Sequence, residues 1–251
     1  MNIFPSLDVV SWLALFGAAL VIGLSKSGIK GIVMFSVLIL VPVFGGKVSM
    51  GLLVPMFLVG DVFAVKYYNR HAIWKYIWRL IPAAAVGVIG ATLVGDMINE
   101  VQVTRAIAIV ILISMFVLIY LEKYPVSKER VEHPFFAFFM GFFGGFCSMI
   151  GNSGGPVLNL FLLSVGLPKN SFIGTAAYFF LLINLIKLPF HIFVWETVNW
   201  ESLWLNVFAV PVILLGFFLG VRIVKLIPER AFRWFIIVVT GLVAIRLLLM
   251  A

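Results

Sequence analysis

The sequence predicts an all-α, polytopic membrane protein built from two inverted-topology repeats with broken or re-entrant helices, and three observations carry that prediction. Of its 251 residues, 63% are hydrophobic and 11% charged, which is more apolar surface than a water-soluble domain can bury. Ten apolar runs divide the chain, and two pairs of short runs are each joined by a polar, glycine-containing break. Lys and Arg gather in some of the connecting loops and are missing from others.

The runs fall at Val9 to Leu24, Ile29 to Phe44, Val48 to Val65, Leu80 to Gly95, Val103 to Tyr120, Phe135 to Ile150, Val157 to Leu167, Ser171 to Val194, Ser202 to Val224 and Ala231 to Met250. Met1 to Asp8 carries no Lys or Arg, so the basic start of a cleavable signal peptide is missing and the first helix is expected to stay. A full crossing needs about 20 apolar residues. The first two runs fall short of that, as do the Phe135 and Val157 runs. The first pair is joined by Ser25, Lys26, Ser27 and Gly28, and the second by Gly151 to Gly155.

At the second break, Gly151, Asn152, Ser153, Gly154, Gly155 and Pro156 should end one helix and begin another. Interior Gly costs a helix about 1 kcal/mol and interior Pro about 3 kcal/mol. Asn152 or Ser153 is expected as the cap, with Pro156 near the first helical position. The amides of Gly154 and Gly155 are then left open at a helix start, which suits an anion and, within a membrane, marks a discontinuous helix beside a cavity. The alternative is a tight turn that lets neighbouring helices pack closely.

Sliding the chain on itself by about 125 residues places Ser27 and Gly28 on Ser153 and Gly154, and brings Asp61 to Asn184. Further along, Leu80, Ile81, Pro82 and Gly87 match Ala209, Val210, Pro211 and Gly216 at a constant offset of 129. The expected organisation is a first repeat over 1–124, a charged cytoplasmic connector over 125–134 and a second repeat over 135–251. Lys66, Arg70, Lys75 and Arg79 place one loop in the cytoplasm, and Arg222, Lys225, Arg230 and Arg233 place another there. Asp96 to Thr104 and Trp195 to Ser202 have no basic residue and are expected outside. Equivalent loops thus fall on opposite sides, which points to inversion and an odd number of crossings per half, with a parallel repeat of four plus four helices as the alternative. Three packed crossings, or one crossing plus a re-entrant hairpin, both satisfy that parity. Both put the two chain ends outside.

Composition also excludes several functions. Cys147 is alone, so it makes neither an internal disulfide nor a thiolate cluster, and His71, His133 and His191 have no ligand-like spacing. No metal and no cofactor are expected. The net charge of +8 is explained by loop lysines and arginines that orient the chain in a lipid bilayer, so no nucleic acid is expected as a partner. Nothing in the pattern sets an oligomeric state.

Charges inside apolar spans point to chemistry, because a lysine at the bilayer centre costs about 3 kcal/mol on insertion scales. Lys26 and Lys30 flank the first break, at what the sequence suggests is a helix start, where extra positive charge calls for a bound anion. Both could instead reach a headgroup region. Asp61 is the acidic residue of the Val48 to Val65 span and is the candidate carrier of a coupling proton, paired with Lys26 or Lys30. Asn184, Lys187 and His191 share one helix face, with Pro189 among them. Lys187 is the second half's candidate cation, and His191 reads as interfacial. Asn159, Thr175 and Tyr178 are weaker candidates. The glycine stretches 87–95, 141–145 and 216–220 fit close helix packing, and Trp74, Trp78, Trp195, Trp200, Trp204 and Trp234 fit an aromatic belt.

Five segments together resemble the TauE/SafE sulfite exporter family: Gly23 to Gly31 (GLSKSGIKG), Gly60 to His71 (GDVFAVKYYNRH), Gly144 to Pro156 (GGFCSMIGNSGGP), Leu167 to Thr175 (LPKNSFIGT) and Asn184 to Pro189 (NLIKLP). The resemblance implies a secondary transporter of small sulfur-containing anions such as sulfite or organosulfonates, bound between two inverted halves. Asn152 to Pro156 fits the family's glycine and proline pattern. The first half departs from it, with Lys26, Ser27, Gly28, Ile29 and Lys30 and no proline before Pro42. The expectation is therefore an exporter of a small oxyanion in the plasma (cytoplasmic) membrane, working by alternating access. Its substrate site would be drawn from Lys26, Ser27, Gly28, Lys30, Asn152, Ser153, Gly154, Gly155, Asn184 and Lys187, with Asp61 for coupling. Two rivals stand: an uncoupled anion channel, and an intramembrane hydrolase using Ser153 or Ser27 with Lys187 or Lys26 as base.

Overall fold

The computed structural model describes residues 8–29, 32–94, 133–152 and 154–249. Among them are nine α-helices and no strand: α1 (Val9–Lys26), α2 (Val33–Phe44), α3 (Gly46–Tyr68), α4 (Trp74–Val94), α5 (Pro134–Gly151), α6 (Gly154–Ser164), α7 (Lys169–Phe193), α8 (Trp200–Leu226) and α9 (Glu229–Leu249), with a 3-10 turn at Asn69–His71. The apolar runs read from the sequence coincide with these helices to within a few residues. The Val103 to Tyr120 run, the loop Asp96 to Thr104 and the charged connector up to residue 132 lie outside the described residues, and Pro134, expected as the connector's end, opens α5.

Among the described residues, six segments are long and apolar enough to cross a bilayer: Val9–Lys26, Val48–His71, Trp74–Val94, Pro134–Gly151, Lys169–Phe193 and Trp200–Leu226. Helix α6, with 11 residues, is about 16 Å long, roughly half the thickness of a bilayer core. Helix α2, with 12 residues, is little longer. Large apolar side chains stand exposed, among them Leu93, Phe135, Phe208 and Phe218, as a lipid-facing surface requires. Trp78, Trp200, Trp204 and Trp234 are exposed with them, consistent with a belt. Trp195 departs from that expectation, because its indole Nε1 is buried.

The helices form two compact units that do not coincide with the expected halves. Unit 1 comprises Met1–Asn69 and Phe180–Ile227, and unit 2 comprises Arg70–Phe179 and Pro228–Ala251. Each unit therefore draws on both ends of the chain. In unit 1, α1 packs along α8 and α2, and α3 packs against α8, around Leu15, Ile22, Leu40, Leu53, Met56 and Ile213. In unit 2, α4 packs along α5, α6 folds back on α5, and Phe172 of α7 meets Phe232 of α9 edge-on, their centroids 5.7 Å apart. Helix α6 is buried nearly all round, from Val157 to Leu163.

Glycines let two helix pairs approach closely. A Cβ on Gly23 of α1 would run into the Ile213 carbonyl of α8, and one on Gly216 into the Leu20 carbonyl of α1. In unit 2 a Cβ on Gly145 of α5 would run into the Ala84 carbonyl of α4, and one on Gly87 into the Phe142 carbonyl of α5. The two interfaces are the same contact written twice. Residues 20 and 23 map to 142 and 145 at an offset of 122, and residues 84 and 87 map to 213 and 216 at an offset of 129. Backbones this close are the membrane form of small-residue packing.

Candidate functional site

The site grows from the end of α1. That helix stops at Lys26, where Ser27 N–H donates to the Gly23 carbonyl at 3.1 Å and the Ser27 hydroxyl to the Leu24 carbonyl at 2.7 Å. Gly28 follows at φ 124°, a conformation open to glycine, and its N–H donates to the Ser25 carbonyl at 3.2 Å. Tyr68 Oη then donates to the Ser27 carbonyl at 2.9 Å. These bonds correct two expectations. The Gly28 amide and the Ser27 hydroxyl have acceptors within the turn and do not face an open helix start. Lys26 sits at a helix C-terminus, where the macrodipole favours a cation. Lys30 lies outside the described residues.

From this turn the Lys26 side chain runs along α3 to Asp61. Its stem lies on Gly60, where a Cβ would fall 2.8 Å from Lys26 Cγ, so the missing side chain is what makes room. Lys26 Nζ donates to Asp61 Oδ1 at 2.7 Å, and Asn184 Nδ2 of α7 donates to Asp61 Oδ2 at 2.7 Å. An ionised carboxylate offers only acceptors, and here each oxygen meets a donor. The ammonium also lies 5.0 Å from the Phe57 ring centroid and 5.1 Å from that of Phe180, within cation–π range of both faces. Lys26 therefore does not snorkel. It is buried, and so are Asp61 and Asn184.

Lys187 and His191 continue the same face of α7, both fully buried. The charges of Lys26 and Asp61 act on Lys187, and that of Lys187 acts on His191. His191 Nδ1 is 2.8 Å from Thr197 Oγ1, so His191 is an interior residue, contrary to the interfacial expectation. A buried polar column thus runs from Lys26 through Asp61, Asn184 and Lys187 to His191, all within unit 1. Two lysines and one carboxylate are thus buried in the interior of unit 1.

The second break belongs to unit 2. Asn152 adopts the left-handed conformation (φ 51°, ψ 24°), and its N–H donates to the Cys147 carbonyl, so its backbone closes α5. Asn tolerates that conformation better than other residues with a Cβ, which is why it can end a helix as glycine does. Ser153 lies outside the described residues. Gly154 opens α6, and a Cβ there would collide with the Gly144 carbonyl and Ser148, so close packing on α5 is part of its role. Gly155 is partly exposed, and Pro156 is the third residue of the helix, where an N–H has no intrahelical partner to lose. Asn159, three residues on, is buried with no partner for its Oδ1 among the described residues. Thr175 Oγ1 accepts from Ile73 N–H at 3.0 Å, and Tyr178 packs on Trp74.

Sequence reasoning missed Phe57, Phe180, Gly60, Tyr68 and Thr197. One signal could have found the phenylalanines: the offset of 123 that carries Asp61 to Asn184 also carries Phe57 to Phe180. No cluster of metal-ligating side chains occurs among the described residues.

Comparison with known proteins yields one match. A family model described as "Sulfite exporter TauE/SafE" matches residues 13–247. No curated protein and no solved structure matches the chain.

Proposed function

The chain belongs to the TauE/SafE family of sulfite exporters and is a multi-pass membrane protein, and from this we propose that it is a secondary-active transporter of a small sulfur-containing oxyanion. The observation that carries this reading is the buried Lys26–Asp61–Asn184 network beside Lys187. Its anionic partner is supplied by the protein itself and can be exchanged for a substrate.

In the proposed cycle the oxyanion of sulfite or a sulfonate takes the place of the Asp61 carboxylate on Lys26, with Lys187 adding a second positive charge. Asp61, released, takes up a proton, so that no uncompensated charge is left buried. Anion and proton then move in the same direction, and an exporter of this kind runs on the outward substrate gradient. The two inverted repeats would present the site to either side in turn. The twofold packing of α1 on α8 and of α5 on α4 supports a duplicated architecture, while inversion itself stays part of the proposal. Asn152, Ser153, Gly154 and Gly155 are proposed as an anion-binding element of unit 2, taken by itself. The cytoplasmic membrane is the proposed location.

A hydrolase is poorly supported. The Ser27 hydroxyl donates to the Leu24 carbonyl and Lys26 Nζ to Asp61, so the nucleophile–base pair that Ser27 and Lys26 would need is not formed.

Sulfite efflux from vesicles tests the proposal. Lys26→Ala and Lys187→Ala should each lower flux at least tenfold, and wild-type flux should respond to an imposed pH difference. Unchanged flux in Lys26→Ala would show that the site lies elsewhere. Flux indifferent to the proton gradient would favour the uncoupled channel.

A further inference from the structure

We propose that unit 1 holds a second anion station, in which the ring N–H groups of His191 and Trp195 bind an oxyanion one helical turn along α7 from Lys187. The station is built by the segment that leaves α7. Val194 N–H and Trp195 N–H both donate to the Phe190 carbonyl at 3.0 and 2.9 Å, and Glu196 turns at φ 50°. Thr197 N–H and Val198 N–H then donate to the His191 carbonyl at 2.8 and 3.2 Å. Helix α3 holds this turn in place, since a Cβ on Gly51 would run into the Thr197 carbonyl.

This bonding favours one histidine tautomer. Two N–H donors already occupy the lone pairs of the His191 carbonyl, and the Thr197 hydroxyl is 3.4 Å from that carbonyl but 2.8 Å from His191 Nδ1. In the proposed station the hydroxyl donates to the nearer Nδ1, and the neutral imidazole carries its proton on Nε2. Among the described residues, His191 Nε2 is buried with no hydrogen-bond partner, and so is Trp195 Nε1. The two rings meet edge to face, 5.2 Å between centroids. Buried donors without acceptors are costly, and native proteins leave few of them.

The occupant must accept and need not donate. A water molecule would bring two hydrogens of its own that also need acceptors. A sulfite or sulfonate oxygen brings only lone pairs, and the charge of Lys187, which acts on His191, favours a negative occupant. Lys187 precedes His191 by four residues, about 6 Å along the helix axis, so an anion could step between the two. The proposal takes from the transport reading only the name of the occupant. Its site is separate from the Lys26–Asp61 pair.

The test is a titration of purified, 15N-tryptophan-labelled protein in detergent with sodium sulfite and with sodium methanesulfonate, at constant ionic strength, against sodium chloride. The indole resonance that disappears in Trp195→Phe should move downfield and saturate with the oxyanions but not with chloride. His191→Phe should weaken the affinity read at Trp195 at least tenfold, while Lys26→Ala leaves the Trp195 response in place. A Trp195 resonance that stays still in protein that transports sulfite, or that answers chloride equally, overturns the station and leaves the transport reading standing. A normal Trp195 response together with unchanged flux in Lys26→Ala sinks the Lys26 site and supports the station.

Discussion

Replacing Asp61 with asparagine preserves its shape and removes its charge, and the structure sets how much that should matter. The Lys26 and Asp61 side chains are 8% and 0% exposed, with Nζ and Oδ1 2.7 Å apart. At that distance and an effective dielectric of about 20, the gross attraction is roughly 6 kcal/mol. Taking two ions out of water offsets much of that, so the pair's net contribution is small. Breaking the pair from one side is another matter, because it leaves an ammonium buried against Phe57 and Phe180 with no carboxylate. Such losses run at about 3–5 kcal/mol. For a chain of this size that corresponds to a fall in melting temperature of about 6–20 °C. Lys26→Met should cost a similar amount by orphaning Asp61. The double variant should cost far less than the sum of the two, since it leaves no unpaired charge. Melting of the four proteins in detergent measures the cycle, and vesicle flux adds the functional arm, where Asp61→Asn should lose its response to a pH difference. If both single variants melt within 2 °C of wild type and the cycle is additive, the ion pair does not hold the site together and the exchange mechanism has no basis.

Three further outcomes follow from the geometry. Gly60→Ala places a methyl group 2.8 Å from Lys26 Cγ and should cost about 1–3 kcal/mol by thermal melt while lowering sulfite flux, and unchanged flux would show that the position of the Lys26 stem is not critical. Gly23→Ala and Gly145→Ala, the two copies of one contact, should destabilise by similar amounts, whereas Gly90→Ala, with nothing within 4 Å, should be neutral or add up to about 1 kcal/mol. A Gly145 variant as stable as wild type would undo the correspondence between the two interfaces. Asn152→Gly should retain stability because glycine takes φ 51° freely but should lower flux by removing a proposed anion contact, while Asn152→Leu should lose both; full flux in Asn152→Gly would take the Asn152 side chain out of the site.

Much of the site could be read without coordinates, because burying charge is expensive wherever it occurs. An acidic residue in the middle of an apolar span has to find a cation, so Asp61 and a lysine at the first break were readable as partners. The repeat offset pointed to Asn184. What could not be read was which groups the first break uses on itself. Whether Gly28 N–H and the Ser27 hydroxyl face a substrate or the last carbonyls of α1 depends on a few tens of degrees of backbone rotation, which glycine permits in either direction. Asn152 raised the same ambiguity. Its side chain can cap a helix start and its backbone can close a helix end, and the left-handed φ shows that the backbone does the second.

Hydropathy alone determined the helices and the two breaks, since a residue's preference for lipid or water is local and survives without knowing any neighbour. The grouping of those helices was decided by tertiary packing. Whether α1 lies on α8, and α5 on α4, turns on glycines meeting carbonyls nearly 200 and about 60 residues away, and contact at that separation leaves no mark on composition or period. The pairing of His191 with Thr197 and the stranding of two ring N–H groups beside it are of the same kind, set by how one short turn folds back.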